Sequence, residues 1–214
     1  MKYIDIMAQI ITINKNDEVF PESYRAIGED CPEKIYAMGN LDLLKSEHMV
    51  AIIGSRKATR VGNSKAYELG LSYAKKGYVV VSGLALGCDA AAHRGCMAGD
   101  GGTIAIVATG LDKVHPHENI PLQEEILRKG GLILSEQPLG IKANPNRLVA
   151  RNRLQAAISE EVVVAECPVH SGTMHTVRFA QKYGKKIKAA IFPYDKEENS
   201  GNKNIITSGI GSGI

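Results

Sequence analysis

Small and cationic residues recur at the points where this chain leaves its apolar runs. The run at 50–54 ends in Gly54 and is followed by Ser55 and Arg56; the run at 78–82 ends in Ser82 and is followed by Gly83 and, after a short loop, Gly87. Farther along come Arg147, Arg151, Asn152 and Arg153, and then Ser171, Gly172 and Thr173. These residue types suit an oxyanion. Glycine lets main chain approach a ligand closely, and open N–H groups at a helix start attract negative charge. Hydroxyls add donors, and a guanidinium adds a charged planar fork. Any one of these glycines is explained by a turn, but the set together predicts a binding site for a phosphorylated partner.

Arg147 and Arg151 stand at i,i+4 and share a helical face, while Arg153 points elsewhere. Two like charges on one face disfavour a bare helix, so a counter-anion is expected; Arg151 or Arg153 can instead pair with Glu136 or Glu166. Arg178, Lys182, Lys185, Lys186 and Lys188 extend the positive field as a secondary basic surface, of the kind that tracks a phosphate backbone and weakens with salt. Asp89 and His93 lie one turn apart: Asp89 is read as a helix cap and His93 as structural or ligand-facing. Tyr73, Tyr78 and Tyr183 have apolar neighbours and are read as core residues, since base stacking needs exposed rings.

Chemistry beyond binding finds little support. Ser171 lacks a G-x-S-x-G elbow, and its neighbour His170 is not thereby part of a triad. Glu166 with Ser171-Gly172-Thr173 would suit hydrolysis of a nucleotide N-glycosidic bond, but no second acid or base is identified. Neither GxGxxG nor GxxxxGK[ST] occurs, which argues against ordinary NAD binding and P-loop ATP hydrolysis. No cofactor and no metal is expected; Cys88, Cys96, His93 and His115 do not have metal-site spacing.

The elements that must position these residues alternate. Apolar runs at 50–54, 78–82, 103–107, 131–134, 162–165 and 187–191 lack strict alternation, as expected of strands covered on both faces. Segments at 62–76, 89–98, 119–129, 147–158 and 173–183 are long enough for crossover helices, the first closed by Gly77. The pattern predicts an α/β fold with a mainly parallel, doubly wound sheet, and such sheets collect ligands beyond the carboxyl ends of their strands. Residues 50–209 are read as that domain, 1–49 as a small N-terminal extension packed on it, and 210–214 as a flexible tail. In the extension, Ile4–Ile13 is read as a strand and Phe20–Tyr24 as a short helix start; 198–203 is read as a loop.

Composition agrees. With 44% hydrophobic and 23% charged residues, the 214-residue chain has material for a core and is not biased toward disorder. No run of 18 apolar residues appears and the N-terminus lacks a signal-peptide pattern, so no membrane association is expected. The four cysteines lie apart without CxxC spacing, and a reducing cytoplasm is the expected location. Residues 1–49 carry 5 Lys/Arg against 9 Asp/Glu, whereas 50–214 carry 21 against 14, an asymmetry suited to a polyanion facing the larger part.

Taken in order, AIIGSRKATRVG, VVVSGLALGCDAAAHRG, GGTIAIVATGLDKVHPHEN, LILSEQPLG, ARNRLQAAISEEVVVAE and HSGTMHTVRFAQKYGKKIKA resemble the DNA-processing protein A (Smf) family. FPESYRAIGEDCPEKIYAMGN resembles the family's lead-in, and the resemblance spans about 19–209. It implies an extended Rossmann-like fold that binds single-stranded DNA, self-associates as a homodimer and helps load the bacterial strand-exchange recombinase during DNA uptake and recombination. It implies a DNA pocket made by Gly54, Ser55 and Arg56, floored by Ser82, Gly83 and Gly87. Arg151, Asn152 and Arg153 match the family's arginine-asparagine-arginine segment, and Ser171-Gly172-Thr173 its later small-residue turn. Two departures stand out: Leu148-Val149-Ala150 where the family usually has Phe-Pro, and His115 where it has tyrosine. The chain also has no room for the appended N-terminal helical and C-terminal winged-helix modules of many relatives. The alternatives are a nucleotide-binding enzyme or sensor of the related phosphoribohydrolase class, and a protein-interaction module whose anion site is vestigial.

Overall fold

The computed structural model describes residues 10–214. Its nine strands form one sheet: β1 (Ile11–Asn14), β2 (Lys34–Gly39), β3 (Met49–Ile53), β4 (Val79–Ser82), β5 (Thr103–Val107), β6 (Leu132–Ser135), β7 (Glu161–Val164), β8 (Lys186–Ala189) and β9 (Ser212–Gly213). The spatial order is β1-β2-β6-β5-β4-β3-β7-β8-β9. Only β1–β2 and β2–β6 pair antiparallel; every other neighbour is parallel. The helices are α1 (Glu22–Arg25), α2 (Arg60–Lys75), α3 (Cys88–Ala98), α4 (Ile120–Arg128), α5 (Pro145–Ile158), α6 (Thr173–Lys182) and α7 (Ser200–Thr207).

The central strands are buried along their whole length, which is why their sequences read as continuous apolar runs. Ala51, Ile53, Val81 and Val164 face one core with Leu154, Val177 and Ile205 of α5, α6 and α7. Val50, Ile52 and Val80 face the other with Tyr73 and Cys96 of α2 and α3, while Ile126 of α4 packs beside them against β5 and β6. Each Val, Leu or Ile side chain removed from water contributes about 1.5–3 kcal/mol. Three layers result.

From β3 the chain winds through β4, β5 and β6 in one direction, then returns to lay β7 on the opposite side of β3. This reversal opens a crevice at the carboxyl ends of β3 and β7, the place where open α/β sheets take ligands. Gly54-Ser55-Arg56 leaves β3 at that crevice, and the segment leading to Ser171-Gly172-Thr173 leaves β7.

The two ends of the chain differ from expectation. Ile11–Asn14 forms the described part of the predicted Ile4–Ile13 strand; positions 4–9 lie outside the described residues. The extension's strands continue the same sheet. The predicted loop at 198–203 is instead a single helical turn, Glu197–Asn199, running into α7. The last residues, predicted to fray, add β9 to β8, with Ile191 N–H donating to Ile214 (3.1 Å) and Ile214 N–H to Ala189 (3.0 Å). The composition of 207–214 signals flexibility, but the unpaired edge of β8 supplies partners for its main chain.

Candidate nucleic-acid interface

The crevice is a cleft of about 670 Å³ whose lining includes Gly54, Ser55, Arg56, Lys57, Arg151, Asn152, Ser171, Gly172 and Thr173. Close packing of main chain shapes it. A side chain at Gly54 would meet Cys88 Sγ and the Glu166 carbonyl, and one at Gly87 would meet the carbonyls of Ser55 and Arg56. Gly87 also has φ +75°, so its glycine is required by conformation as well as by space. Gly83 leaves the room that the Arg151 guanidinium fills.

Arg151 is 4% exposed. Its Nη1 donates to the Ile106 carbonyl (2.7 Å), and the Gln155 amide, oriented with its oxygen inward, accepts from Nη1 and from Gly83 N–H. Nε has no acceptor, and among the described residues no carboxylate lies within ion-pair range. Burial pushes the guanidinium down to about 10, against the pull of Asp89, so it stays charged at neutral pH. The cleft floor thus holds a desolvated cation, whose field is screened less than that of a surface charge.

Above that floor the donors are free. Arg56 is exposed and has no hydrogen-bond or ion-pair partner among the described residues. Ser55 Oγ accepts from Lys57 N–H (3.1 Å), which leaves its proton available, while Ser55 N–H is committed to the Glu166 carbonyl (2.7 Å). Helix α6 starts at Gly172 without a side-chain cap, and the N–H groups of Gly172 and Thr173 have no acceptor. Ser171 Oγ is buried and unpartnered. Asn152 touches this helix start, donating to the Gly172 carbonyl (3.4 Å). Two acids, Glu197 and Glu198, lie on the cleft wall, but both are exposed and neither pairs with an arginine. The arrangement can hold an anion between Arg56, the α6 start and the field of Arg151.

Several predicted site residues do other work. Ser82 is fully buried and its hydroxyl donates to the Ile52 carbonyl (2.7 Å), so it offers nothing to a ligand. Arg153 forks onto Glu136 (2.6 and 2.8 Å) and donates to the Asp30 carbonyl (2.8 Å), which ties α5 to the N-terminal extension. Arg147 donates to the Lys142 carbonyl (3.1 Å) and does not line the cleft. Glu166 accepts from Thr59 N–H (2.6 Å) and Thr59 Oγ1 (2.7 Å), making it a second cap for α2 and unavailable as an acid or base. Asp89 lines the floor, but its carboxylate accepts from Gly83 N–H (3.0 Å) and so braces the preceding loop instead of capping its own helix; burial raises its pKa. His93 does not face the ligand: it is fully buried against the Thr103 hydroxyl (2.7 Å).

Two of the five cations of the secondary basic surface meet a carboxylate. Lys182 pairs with Asp30, Lys188 with Glu161 (2.8 Å), and Lys185 donates to the Ala157 carbonyl (2.8 Å). Lys186 and Lys188 belong to β8, whose start lies at the end of the sheet opposite the cleft, and Arg178 contacts only His175 (3.4 Å). Tyr73 is a core residue, buried with its hydroxyl on Glu161, whereas Tyr183 packs half-buried at the core's margin and bonds Asp30 (2.6 Å). Sequence reasoning passed over Lys57 and Gln155. The second lies one helical turn beyond Arg151, a spacing that could have flagged it.

The family model for DNA recombination-mediator protein A matches residues 9–212. Protein Smf of Synechocystis sp. is 37% identical over 181 residues, covering 83% of this chain and 45% of that protein. DNA processing protein A from Streptococcus pneumoniae superposes with a TM-score of 0.89 at 31% identity, covering 99% of this chain and 73% of that one. The structure of DNA processing protein A from Helicobacter pylori, described for its single-stranded DNA binding mode, gives a TM-score of 0.86 at 33% identity, covering 96% and 91%. The chain spans about half the length of the curated relatives it matches.

Proposed function

This chain belongs to the DNA recombination-mediator protein A family, and from that premise we propose that its cleft binds the phosphate backbone of single-stranded DNA without acting on it chemically. One observation carries the reading: an unpaired exposed Arg56 and a buried Arg151 with no carboxylate in ion-pair range share a cleft with an uncapped helix start. Together they supply charge and main-chain donors for successive phosphates, which is how sequence-tolerant binding is built. The Helicobacter relative, described as binding single-stranded DNA, supports the assignment of ligand.

Two alternatives fare worse. The carboxylate on which a phosphoribohydrolase reading rests, Glu166, is spent on Thr59, and the two unpaired acids of the cleft, Glu197 and Glu198, are exposed on its wall and not set beside the small-residue turn's donors by any hydrogen bond. A vestigial anion site would be expected to lose its unpaired charges, and Arg56 keeps its own. The wider role is also proposed: pairing with a second copy, so that two clefts lengthen the track, and delivery of the strand to a strand-exchange recombinase. Exposed Ile191 and Ile214, adjacent at the β8–β9 edge, support the pairing.

Arg56→Ala tests the core of the proposal, because no internal contact depends on that side chain. Titration of labelled single strands across salt should show wild-type affinity falling steeply with ionic strength, and the variant binding at least about tenfold more weakly with a shallower slope. Equal affinities and slopes would reject the site.

A further inference from the structure

A second cleft, of about 530 Å³, lies on the other side of Gly87, between α2 and α3. Two arginines line it, Arg60 on the first turn of α2 and Arg94 on α3. Both are exposed and, among the described residues, neither has an ion-pair partner; Glu118 on the wall is the only acid. Between them stands Tyr67, 38% exposed, with Leu86 at 37% beside the Gly87 turn. The main chain that carries the ring is held in place: Gly95 lets α3 pack directly on the Tyr67 main chain, which also brings Arg94, the preceding residue, alongside Tyr67. An exposed tyrosine flanked by two uncompensated guanidinium groups joins a π-face to a phosphate-attracting field, the combination that holds stacked bases of a single strand.

The two clefts share a wall. Gly87 lines the second cleft, and its main chain packs under the carbonyls of Ser55 and Arg56, which line the first. Arg56 therefore sits on the divide, and Arg60, the first residue of α2, follows four positions later.

We propose that the α2–α3 cleft is a second subsite for single-stranded nucleic acid, in which Tyr67 stacks on a base and Arg60 and Arg94 hold the flanking phosphates of a strand that has crossed Arg56. The inference rests on the reading of the first cleft as a single-strand site and adds a direction of travel to it. The charge favours a nucleic acid over a protein partner, because an apolar docking face would not carry two unpaired arginines around a single ring.

The chain contains no tryptophan, so Tyr67→Trp places a lone indole reporter in the cleft. Long and short oligothymidylates should be titrated into that variant, and into Tyr67→Ala and Arg94→Ala. Expected is quenching of the indole fluorescence by the long strand but not by one of about 6 nucleotides, which fills the first cleft only. The alanine variants should bind the long strand about tenfold more weakly and the short one like wild type. Unchanged long-strand affinity in both alanine variants, or an indole signal indifferent to the long strand, would overturn the subsite while leaving the first cleft standing. Failure of the wild type to bind either strand would instead sink the reading of the first cleft, and this one with it.

Discussion

Thr103 has one hydroxyl proton, and it goes to the Val80 carbonyl at 2.8 Å. The proton between Thr103 and His93 must then come from the imidazole, so Nδ1 carries hydrogen and Nε2 is left bare, buried and unpartnered. A second proton would charge the ring in the core, and burial accordingly pushes the His93 pKa down to about 3 from 6.5. The folded value lies below the unfolded one, so this contribution to stability is complete above pH 6.5 and is lost as pH falls from there toward 3. The slope is about 1.4 kcal/mol per pH unit. Denaturant melts at pH 7, 6 and 5 should show wild type losing stability faster than His93→Gln; parallel losses would contradict the assignment. The sequence left His93 between structural and ligand-facing roles because only its contacts tell them apart.

At the scale of elements, the start of α2 depends on a residue 107 positions away. Thr59 Oγ1 accepts from Gly62 N–H (3.0 Å) and donates its own hydrogen bond to Glu166, whose other oxygen accepts from Thr59 N–H. Gly62 belongs to the same device, since a side chain there would collide with the Glu166 carboxylate. A carboxylate at the N-cap also meets the positive end of the helix dipole. Glu166→Gln keeps the shape but loses the charge, and thermal unfolding should show a loss of about 1–2 kcal/mol. Unaltered stability would mean the cap is dispensable and would return Glu166 to consideration as a chemical group. The element boundaries themselves were legible within a residue or two, from Gly77 closing α2 to the apolar run of β5, because burial on both faces and local turn chemistry write themselves into adjacent residues.

At the scale of the molecule, part of the charge asymmetry is internal glue. Asp30 of the acidic extension takes Lys182 and Tyr183 of the basic part, and Arg153 reaches the Asp30 carbonyl, so opposite charges meet where the two portions pack. Arg56 and Lys57 of the first cleft and Arg60 and Arg94 of the second are among the cations left for a polyanion. The sheet's far edge supplies the other whole-molecule expectation. Ile191 is 56% exposed and Ile214 43%, an apolar pair at a strand edge that a second copy would cover. Sedimentation of wild type should reveal a dimer that Ile191→Asp dissociates; a monomeric wild type, or a dimer indifferent to the substitution, would place pairing elsewhere or remove it.

By itself the sequence determined the order of strands and helices from β3 to β8, the doubly wound α/β class and the loops where a ligand must sit, since each depends on periodicity and turn residues that act over a few positions; β2, α7 and β9 lay outside that reading. It also carried the family likeness. Tertiary structure alone decided which of the arginines is free. Arg153 meets Glu136 across 17 residues and Lys182 meets Asp30 across 152, while Arg56 and Arg151 meet no carboxylate. A charge is available to a ligand only if the fold has not already neutralised it, and that pairing depends on distances through space which residue spacing does not encode.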